Sequence, residues 1–104
     1  MTGYATALDA LGDPTRRAVL ESLRDGPRSV GEIAGGLPVS RPAVSQHLKV
    51  LKGAGLVTDR PDGARRLYAV DPDGLSDLRG WVEAFWDQAL EAFAAFAEEQ
   101  GGDG

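Results

Sequence analysis

The chain has 104 residues, 42% of them hydrophobic, a length and composition typical of one globular domain. It contains no cysteine, which excludes disulfide bonds, thiol redox sensing and thiolate metal sites. The sequence has neither an apolar run long enough to cross a membrane nor a basic and then apolar leader, so we expect a cytoplasmic protein that does not bind membranes.

The formal net charge of −5 at pH 7 is unevenly distributed along the chain. Residues 28–70 contain seven Lys or Arg and three Asp or Glu, which gives this segment a charge of +4. Residues 71–104 contain one Arg and nine Asp or Glu, a charge of −8. The basic segment can therefore face a polyanion such as DNA while the acidic remainder points away, although the net charge predicts modest non-specific affinity.

Two helices are predicted ahead of the basic segment. The first covers residues 4–11, within an N-terminal segment 1–12. The second follows Asp13, a favoured helix N-cap residue, with Pro14 in the first turn, and it runs to about Arg24. We expect this second helix to support the core.

A third, shorter helix is predicted over residues 30–36. Ser29 is followed three residues later by Glu32, the spacing of a capping box, and Ile33 points inward. Residues 37–39 then make a tight connection to the next helix. A turn of this length is typical of a helix-turn-helix pair, of which this is the first helix.

The fourth helix, residues 40–53, is the candidate recognition helix. Ser40 is its predicted N-cap, and Val44, Leu48 and Leu51 form an apolar stripe that faces the core. The opposite side is polar or basic and has no carboxylate, which favours entry into a DNA major groove over the alternative of an ordinary solvated face. The outward residues are Arg41, Pro42, Ser45, Gln46 and Lys49.

Residues 56–70 are predicted to form a β-hairpin, the wing. The first strand covers residues 56–60, the turn residues 61–64, and the returning strand Arg65–Val70. Tyr68 and Val70 share the inward face. Three arginines near the turn are placed to meet backbone phosphates: Arg60, Arg65 and Arg66.

Residues 71–100 are predicted to contain a long helix, from about 75 to 98, that carries five of the seven aromatic residues. Its apolar positions form two stripes, which indicates two neighbours: the chain's own core and the equivalent helix of a second copy. The alternatives are one broad face that serves a single core, and a ligand pocket lined by the aromatics. The predicted dimer contacts are Leu8, Leu78, Val82, Phe85, Trp86, Ala89 and Phe93.

These elements predict a mainly α (α+β) fold: a winged helix-turn-helix with a two-stranded wing and a long C-terminal dimerisation helix. Residues 1–100 form one domain with its winged-helix core at 13–70, and residues 101–104 are expected to be a disordered tail.

Several short motifs resemble the ArsR/SmtB-type winged-helix repressors, specifically the branch without metal ligands. The resemblance covers about residues 5–72 and rests on the order and spacing of LGDPTRR (11–17), SVGEIA (29–34), SRPAVSQHLKVL (40–51), GLV (55–57) and GARRLY (63–68). It implies a homodimeric bacterial repressor that binds an imperfect palindrome in double-stranded DNA. It also implies DNA contacts at Arg41, Pro42, Ser45 and Gln46.

Neither a metal site, a cofactor nor a catalytic site is predicted. In the family that the chain resembles, zinc or nickel sensors hold the metal with histidines and carboxylates of the C-terminal helix. The C-terminal helix of this chain has no histidine. The one imidazole, His47, lies in the recognition helix, where a structural or DNA-adjacent role is favoured. Ser45 and His47 are two residues apart on a helix and project to different sides, so they form no nucleophile and base pair.

Two other functions remain open from the residues alone. One is a winged-helix protein–protein interaction module. The other is a repressor that responds to a small apolar ligand bound near the C-terminal aromatic helix. The polar outward set of the recognition helix favours DNA over a protein partner, because protein-binding faces more often expose aromatic residues or Met.

Overall fold

Five helices and one β-hairpin follow one another along residues 3–101, the part of the chain that the computed structural model describes. Their order is α1 (Gly3–Ala10), α2 (Pro14–Glu21), α3 (Val30–Gly35), α4 (Arg41–Gly53), β1 (Val57–Asp62), β2 (Arg65–Val70) and α5 (Pro72–Gly101). The two strands pair antiparallel. The predicted fold class, mainly helical with a two-stranded wing and a long C-terminal helix, is confirmed.

The predicted helix starts coincide with polar caps. Asp13 accepts hydrogen bonds from two backbone N–H groups of α2, at 2.8 and 3.1 Å. Ser29 and Glu32 form the reciprocal capping box of α3, and the Ser40 hydroxyl accepts from a backbone N–H of α4. Because these bonds satisfy donors that lack partners within the helix, each helix begins at a defined residue.

Some element ends differ from the predictions. α2 ends at Glu21 rather than near Arg24, because the backbone N–H groups of Leu23 and Arg24 bond to carbonyls three residues back and tighten the chain into turns. β1 continues through Pro61, so the hairpin turn is shorter than predicted. Proline is tolerated there because β1 is an edge strand. Gly101 is the last residue of α5, and the rest of the predicted disordered tail lies outside the described residues.

The core is formed by α1 to α4, the segment that follows α4, and the start of β1. The buried apolar side chains among the described residues are Ala7, Ala10, Val19, Leu23, Ile33, Val44, Leu48, Leu51, Ala54, Leu56 and Val57. α2 and α3 pack on α4, which places the candidate recognition helix at the centre of the core.

Two arginines of α2 hold the C-terminal end of α1. Arg16 donates from Nη1 to the Ala10 carbonyl at 3.0 Å, and Arg17 donates from Nη1 to the Leu11 carbonyl at 2.7 Å. Carbonyls at a helix end lack partners within the helix, so these bonds satisfy them. They also tie α1 to α2.

α5 begins in close contact with the turn between α4 and β1. The Asp71 N–H donates to the Leu56 carbonyl at 2.9 Å, and a Cβ added to Gly74 would overlap the Gly55 carbonyl oxygen. Gly55 itself has a φ of +79°, a conformation that favours glycine. Glycine is therefore required at both sides of this contact.

Among the residues whose side chains are described, only the first turns of α5 pack on other elements. Leu75, Leu78 and Trp81 are half-buried, and this part of α5 lies against α1. Beyond residue 81 every described α5 side chain is exposed, so the alternative of one broad face serving a single core does not hold there. The large exposed apolar side chains of α5 are Val82, Phe85, Trp86, Leu90, Phe93 and Phe96.

Candidate nucleic-acid interface

α4 presents a polar face to solvent and an apolar face to the core. Val44, Leu48 and Leu51 are fully buried, and this fixes the rotation of the helix about its axis. The structure exposes all five of the predicted outward residues together: Arg41, Pro42, Ser45, Gln46 and Lys49. A helix fixed by its buried side has few ways to relax, so the polar side chains project from a defined surface.

Arg41 bends towards α3 rather than straight outwards. A Cβ added to Gly31 would lie 3.0 Å from Arg41 Nη2 and 3.2 Å from its Cζ, so the guanidinium rests against the bare backbone of Gly31. There it borders a groove of about 370 Å³ between α3 and the wing. The groove is lined by Ser29, Val30, Gly31, Arg41, Arg65, Arg66 and Tyr68.

The wing is anchored at its base and projects at its turn. Tyr68 exchanges two backbone hydrogen bonds with Arg28, at 2.8 and 2.9 Å, which joins β2 to the segment ahead of α3. Gly63 has a φ of +65° in the two-residue turn, where glycine is favoured. The three predicted phosphate contacts, Arg60, Arg65 and Arg66, are exposed around this turn.

Two of the three wing arginines are already paired with carboxylates. Arg66 Nε lies 2.7 Å from Asp59 Oδ2. Arg65 lies 3.2 Å from Asp62 Oδ2 through Nε and 3.7 Å from Glu32 Oε1 through Nη1. Ion pairing reduces the charge that each arginine can offer to a phosphate.

Four cations of the basic segment form no ion pair within the part of the chain whose side chains are described: Arg28, Arg41, Lys49 and Arg60. Arg28 instead donates from Nε to the Ser22 carbonyl at 2.8 Å. Arg41 and Lys49 flank the polar face of α4, and Arg60 is on β1. These side chains carry the uncompensated positive charge next to the candidate recognition surface.

Asp59 is a residue that the sequence analysis missed. Its side chain is only 8% exposed, and its second oxygen, Oδ1, lies 2.7 Å from Lys52 Nζ in the last turn of α4. The Lys52 and Arg66 hydrogen bonds lower the pKa of the Asp59 carboxyl, against the opposing effect of burial. The diagonal placement of Asp59 and Arg66 could have been predicted from the strand register; the contact with Lys52 could not.

The pKa values of two other carboxyl groups are lowered by helix capping. The Ser29 backbone N–H, followed by its hydroxyl, lowers the pKa of Glu32. The backbone N–H of Arg16 has the largest lowering effect on the pKa of Asp13. Both carboxylates are therefore ionised at neutral pH, the form that caps a helix.

His47 is half-buried on α4, and its Nδ1 has no hydrogen-bond partner among the described residues. No cluster of three or more His, Cys, Asp or Glu suited to a metal ion occurs within the described part of the chain. Nor does any helix in that part combine the length and apolar character needed to cross a bilayer.

Comparisons with known proteins agree with this geometry. The family model described as "Bacterial regulatory protein, arsR family" matches residues 13–59. The HTH-type transcriptional regulator Rv2034 of Mycobacterium tuberculosis is 57% identical over 97 residues, which cover 93% of this chain and 91% of the relative. The transcriptional repressor SdpR of Bacillus subtilis is 36% identical over 76 residues, which cover 73% of this chain and 84% of SdpR.

A solved structure extends the agreement to the fold. It is the solution structure of the homodimeric winged helix-turn-helix DNA-binding domain Mb0332 from Mycobacterium bovis, a possible ArsR-family regulator. The two chains are 30% identical, with a TM-score of 0.67, over 86% of this chain and 83% of the other. These relatives are transcriptional regulators rather than enzymes. The structure has a capped helix α4 followed by a basic wing, and the relatives match nearly the whole chain. This protein is therefore a member of the ArsR family of transcriptional regulators, with a winged helix-turn-helix DNA-binding domain.

Proposed function

We propose that this protein is a homodimeric transcriptional repressor that binds an imperfect palindrome in double-stranded DNA. The observation that carries the proposal is the exposed face of α4, which has hydrogen-bonding and basic side chains and no carboxylate. Repression follows when the dimer occupies DNA that the transcription machinery must enter. The relative SdpR, which is named a repressor, supports this direction of regulation.

Sequence reading is assigned to the middle of the α4 face. Gln46 can form a bidentate pair with adenine, and the Ser45 hydroxyl can bond to several base edges. Pro42 adds an apolar contact surface close to the helix start. Lys49, further along the face, has the single mobile charge that suits a phosphate.

Backbone contacts are assigned to the unpaired cations. Arg60 on the wing and Arg41 beside the groove have no competing carboxylate partner among the described residues. Arg65 and Arg66 also line the groove or the turn, but each must exchange an existing ion pair for a phosphate. We therefore expect Arg60 and Arg41 to contribute more to DNA affinity than Arg65 and Arg66.

Dimer formation is assigned to α1 and α5. The exposed apolar side chains of α5, with Leu8 on α1, form a surface that a second copy can cover through the same residues related by a two-fold axis. The homodimeric state of the Mb0332 domain supports this arrangement. A two-fold dimer presents two α4 helices to half-sites about one helical turn apart, roughly 34–36 Å.

The test begins with selection of duplexes from a random-sequence pool by the wild-type protein. We expect an enriched palindromic sequence, bound with an affinity that falls steeply as salt rises. A reporter gene placed behind the selected site should be expressed less when the protein is present. Failure to enrich any sequence would contradict the proposal, and higher expression would contradict repression alone.

The division of roles is tested with Gln46→Ala and Arg60→Ala. Gln46→Ala should cost ~1–3 kcal/mol on the selected duplex and little on a scrambled one, because a base contact is lost. Arg60→Ala should weaken both duplexes alike and reduce the salt dependence by about one unit per protomer. The reverse result would show that the roles are exchanged.

A further inference from the structure

One carboxylate joins α4 to both strands of the wing. Asp59 is on β1, its Oδ1 contacts Lys52 at the end of α4 at 2.7 Å, and its Oδ2 contacts Arg66 on β2 at 2.7 Å. No other described carboxylate forms ion pairs with two elements of the DNA-binding segment at this distance. The contact therefore lies where α4 and the wing meet.

The strand register explains why Asp59 faces α4. Asp59 is paired with Tyr68, and Arg66 is two residues from Tyr68 along β2, so all three side chains lie on one face of the hairpin. This is the face that Val57 buries against the core. Arg60, the neighbour of Asp59, points to the opposite face and forms no ion pair among residues 5–100.

Asp59 is more deeply buried than Asp62, the other carboxylate of the wing. The Asp59 side chain is 8% exposed, while that of Asp62 is 46% exposed and contacts Arg65 on the wing itself. An ion pair at an exposed site contributes little, whereas a nearly buried carboxylate depends on its partners. Asp59 thus links the wing to α4 through Lys52, whereas Asp62 contacts an arginine of the wing.

We propose that Asp59 is a positioning residue that fixes the wing relative to α4 and withholds Arg66 from DNA phosphates. This inference rests on the proposed DNA-binding function. Base contacts by α4 and phosphate contacts by the wing must form on the same stretch of DNA, so the angle between the two elements decides whether both form together. Asp59 thus neutralises part of the positive charge of the wing while it fixes this angle.

A simple charge argument predicts the opposite effect of removing Asp59. Loss of a negative charge beside the DNA surface raises the affinity of a protein for any duplex. If Asp59 sets the wing position, its loss instead weakens binding to the sequence that needs both contacts. The sign of the change therefore separates positioning from charge.

The experiment compares Asp59→Asn with Asp62→Asn, a control that removes the same charge from the same wing. The probes are a duplex selected by the wild type from a random pool and a scrambled duplex of equal length. We expect Asp59→Asn to bind the selected duplex about tenfold more weakly, ~1.4 kcal/mol, and to bind the scrambled duplex as well as the wild type or better. Its salt dependence on the scrambled duplex should rise by about one unit per protomer as Arg66 becomes available.

Asp62→Asn should bind both duplexes as tightly as the wild type or more tightly. Equal gains by both variants on both duplexes would overturn the proposal, because charge alone would explain them. An unchanged ratio of selected to scrambled affinity in a less stable but folded Asp59→Asn would also overturn it, because the role would then be structural only.

A second measurement needs no DNA. Amide hydrogen exchange of β1 and β2 should be faster in Asp59→Asn than in the wild type, and unchanged in Asp62→Asn. Unchanged exchange in Asp59→Asn would overturn the positioning role alone. A wild type that selects no duplex would instead overturn the DNA-binding function.

Discussion

The winged-helix core buries its large apolar side chains, whereas the distal part of α5 exposes them. Ile33 and Leu48 in the core are at most 1% exposed, while Phe85 and Phe93 of α5 are 60% and 64% exposed. Both regions show apolar residues at helical spacing. A helical apolar pattern therefore predicts that a face will be covered, and it does not say whether the same chain supplies the cover.

The largest expected effect comes from charging the exposed face of α5. The double change Phe85→Glu and Phe93→Glu should abolish the dimer at micromolar concentration, since each buried Phe contributes ~1.5–3 kcal/mol and the interface contains each twice. Sedimentation velocity measures the outcome. Because neither residue belongs to the core, the unfolding transition of the monomer should persist.

Gln88→Ala, at an exposed polar position on the same helix, is the matched control and should leave the dimer intact. A wild type that sediments as a monomer would contradict the proposed assembly. A double variant that remains a dimer would place the interface elsewhere.

The next effect tests the joint between the two regions. Gly74→Ala should destabilise the protein by ~1–3 kcal/mol, because its Cβ would overlap the Gly55 carbonyl and the backbone must shift. Gly80→Ala, also in α5 and with open space around its Cβ, should stabilise by ~0.5–1 kcal/mol. Urea unfolding measures both changes, and similar values for the two would show that the start of α5 does not depend on this contact.

A smaller effect is expected on the stability of the winged-helix core at acid pH. Asp13, Glu32 and Asp59 have lowered pKa values in the folded state, so their contribution to stability is present above their ordinary values of 3.8 to 4.5. It is lost as pH falls through the lower folded-state values. The free energy of unfolding should therefore fall below about pH 4.5.

Asp59→Asn provides the comparison for the acid effect. The variant should be less stable than the wild type at pH 7, and the difference should shrink as the pH falls and Asp59 of the wild type becomes protonated. Unfolding of both proteins in urea at several pH values measures this. A gap that stays constant with pH would mean that the Asp59 charge is not what stabilises the fold.

For metal ions we expect no effect on DNA affinity. The chain lacks cysteine and has one histidine, on α4 rather than α5, so zinc, cadmium, nickel or arsenite at micromolar concentration should leave DNA affinity unchanged. Fluorescence anisotropy with and without a chelator measures this. Tight, stoichiometric zinc binding that is lost on changing Glu83, Asp87 or Glu91 would contradict the prediction.

The parts of the structure that were predictable depend on neighbours in sequence. The starts of α2, α3 and α4 follow from Asp13, Ser29 and Ser40, because a cap acts within three residues. The inward face of α4 follows from the spacing of its apolar residues. Asp59 escaped notice because its two partners approach from different elements, and only the packing of the wing against α4 brings them together.

The contact between Gly55 and Gly74 has a mechanical consequence. α5 has 30 residues and is therefore about 45 Å long, and its first turns contact α1 and the turn between α4 and β1. Rotation about this attachment by about 5° displaces the far end of the helix by about 4 Å. A displacement of several ångströms at the far end of α5 therefore corresponds to a rotation of only a few degrees at the contact between Gly55 and Gly74.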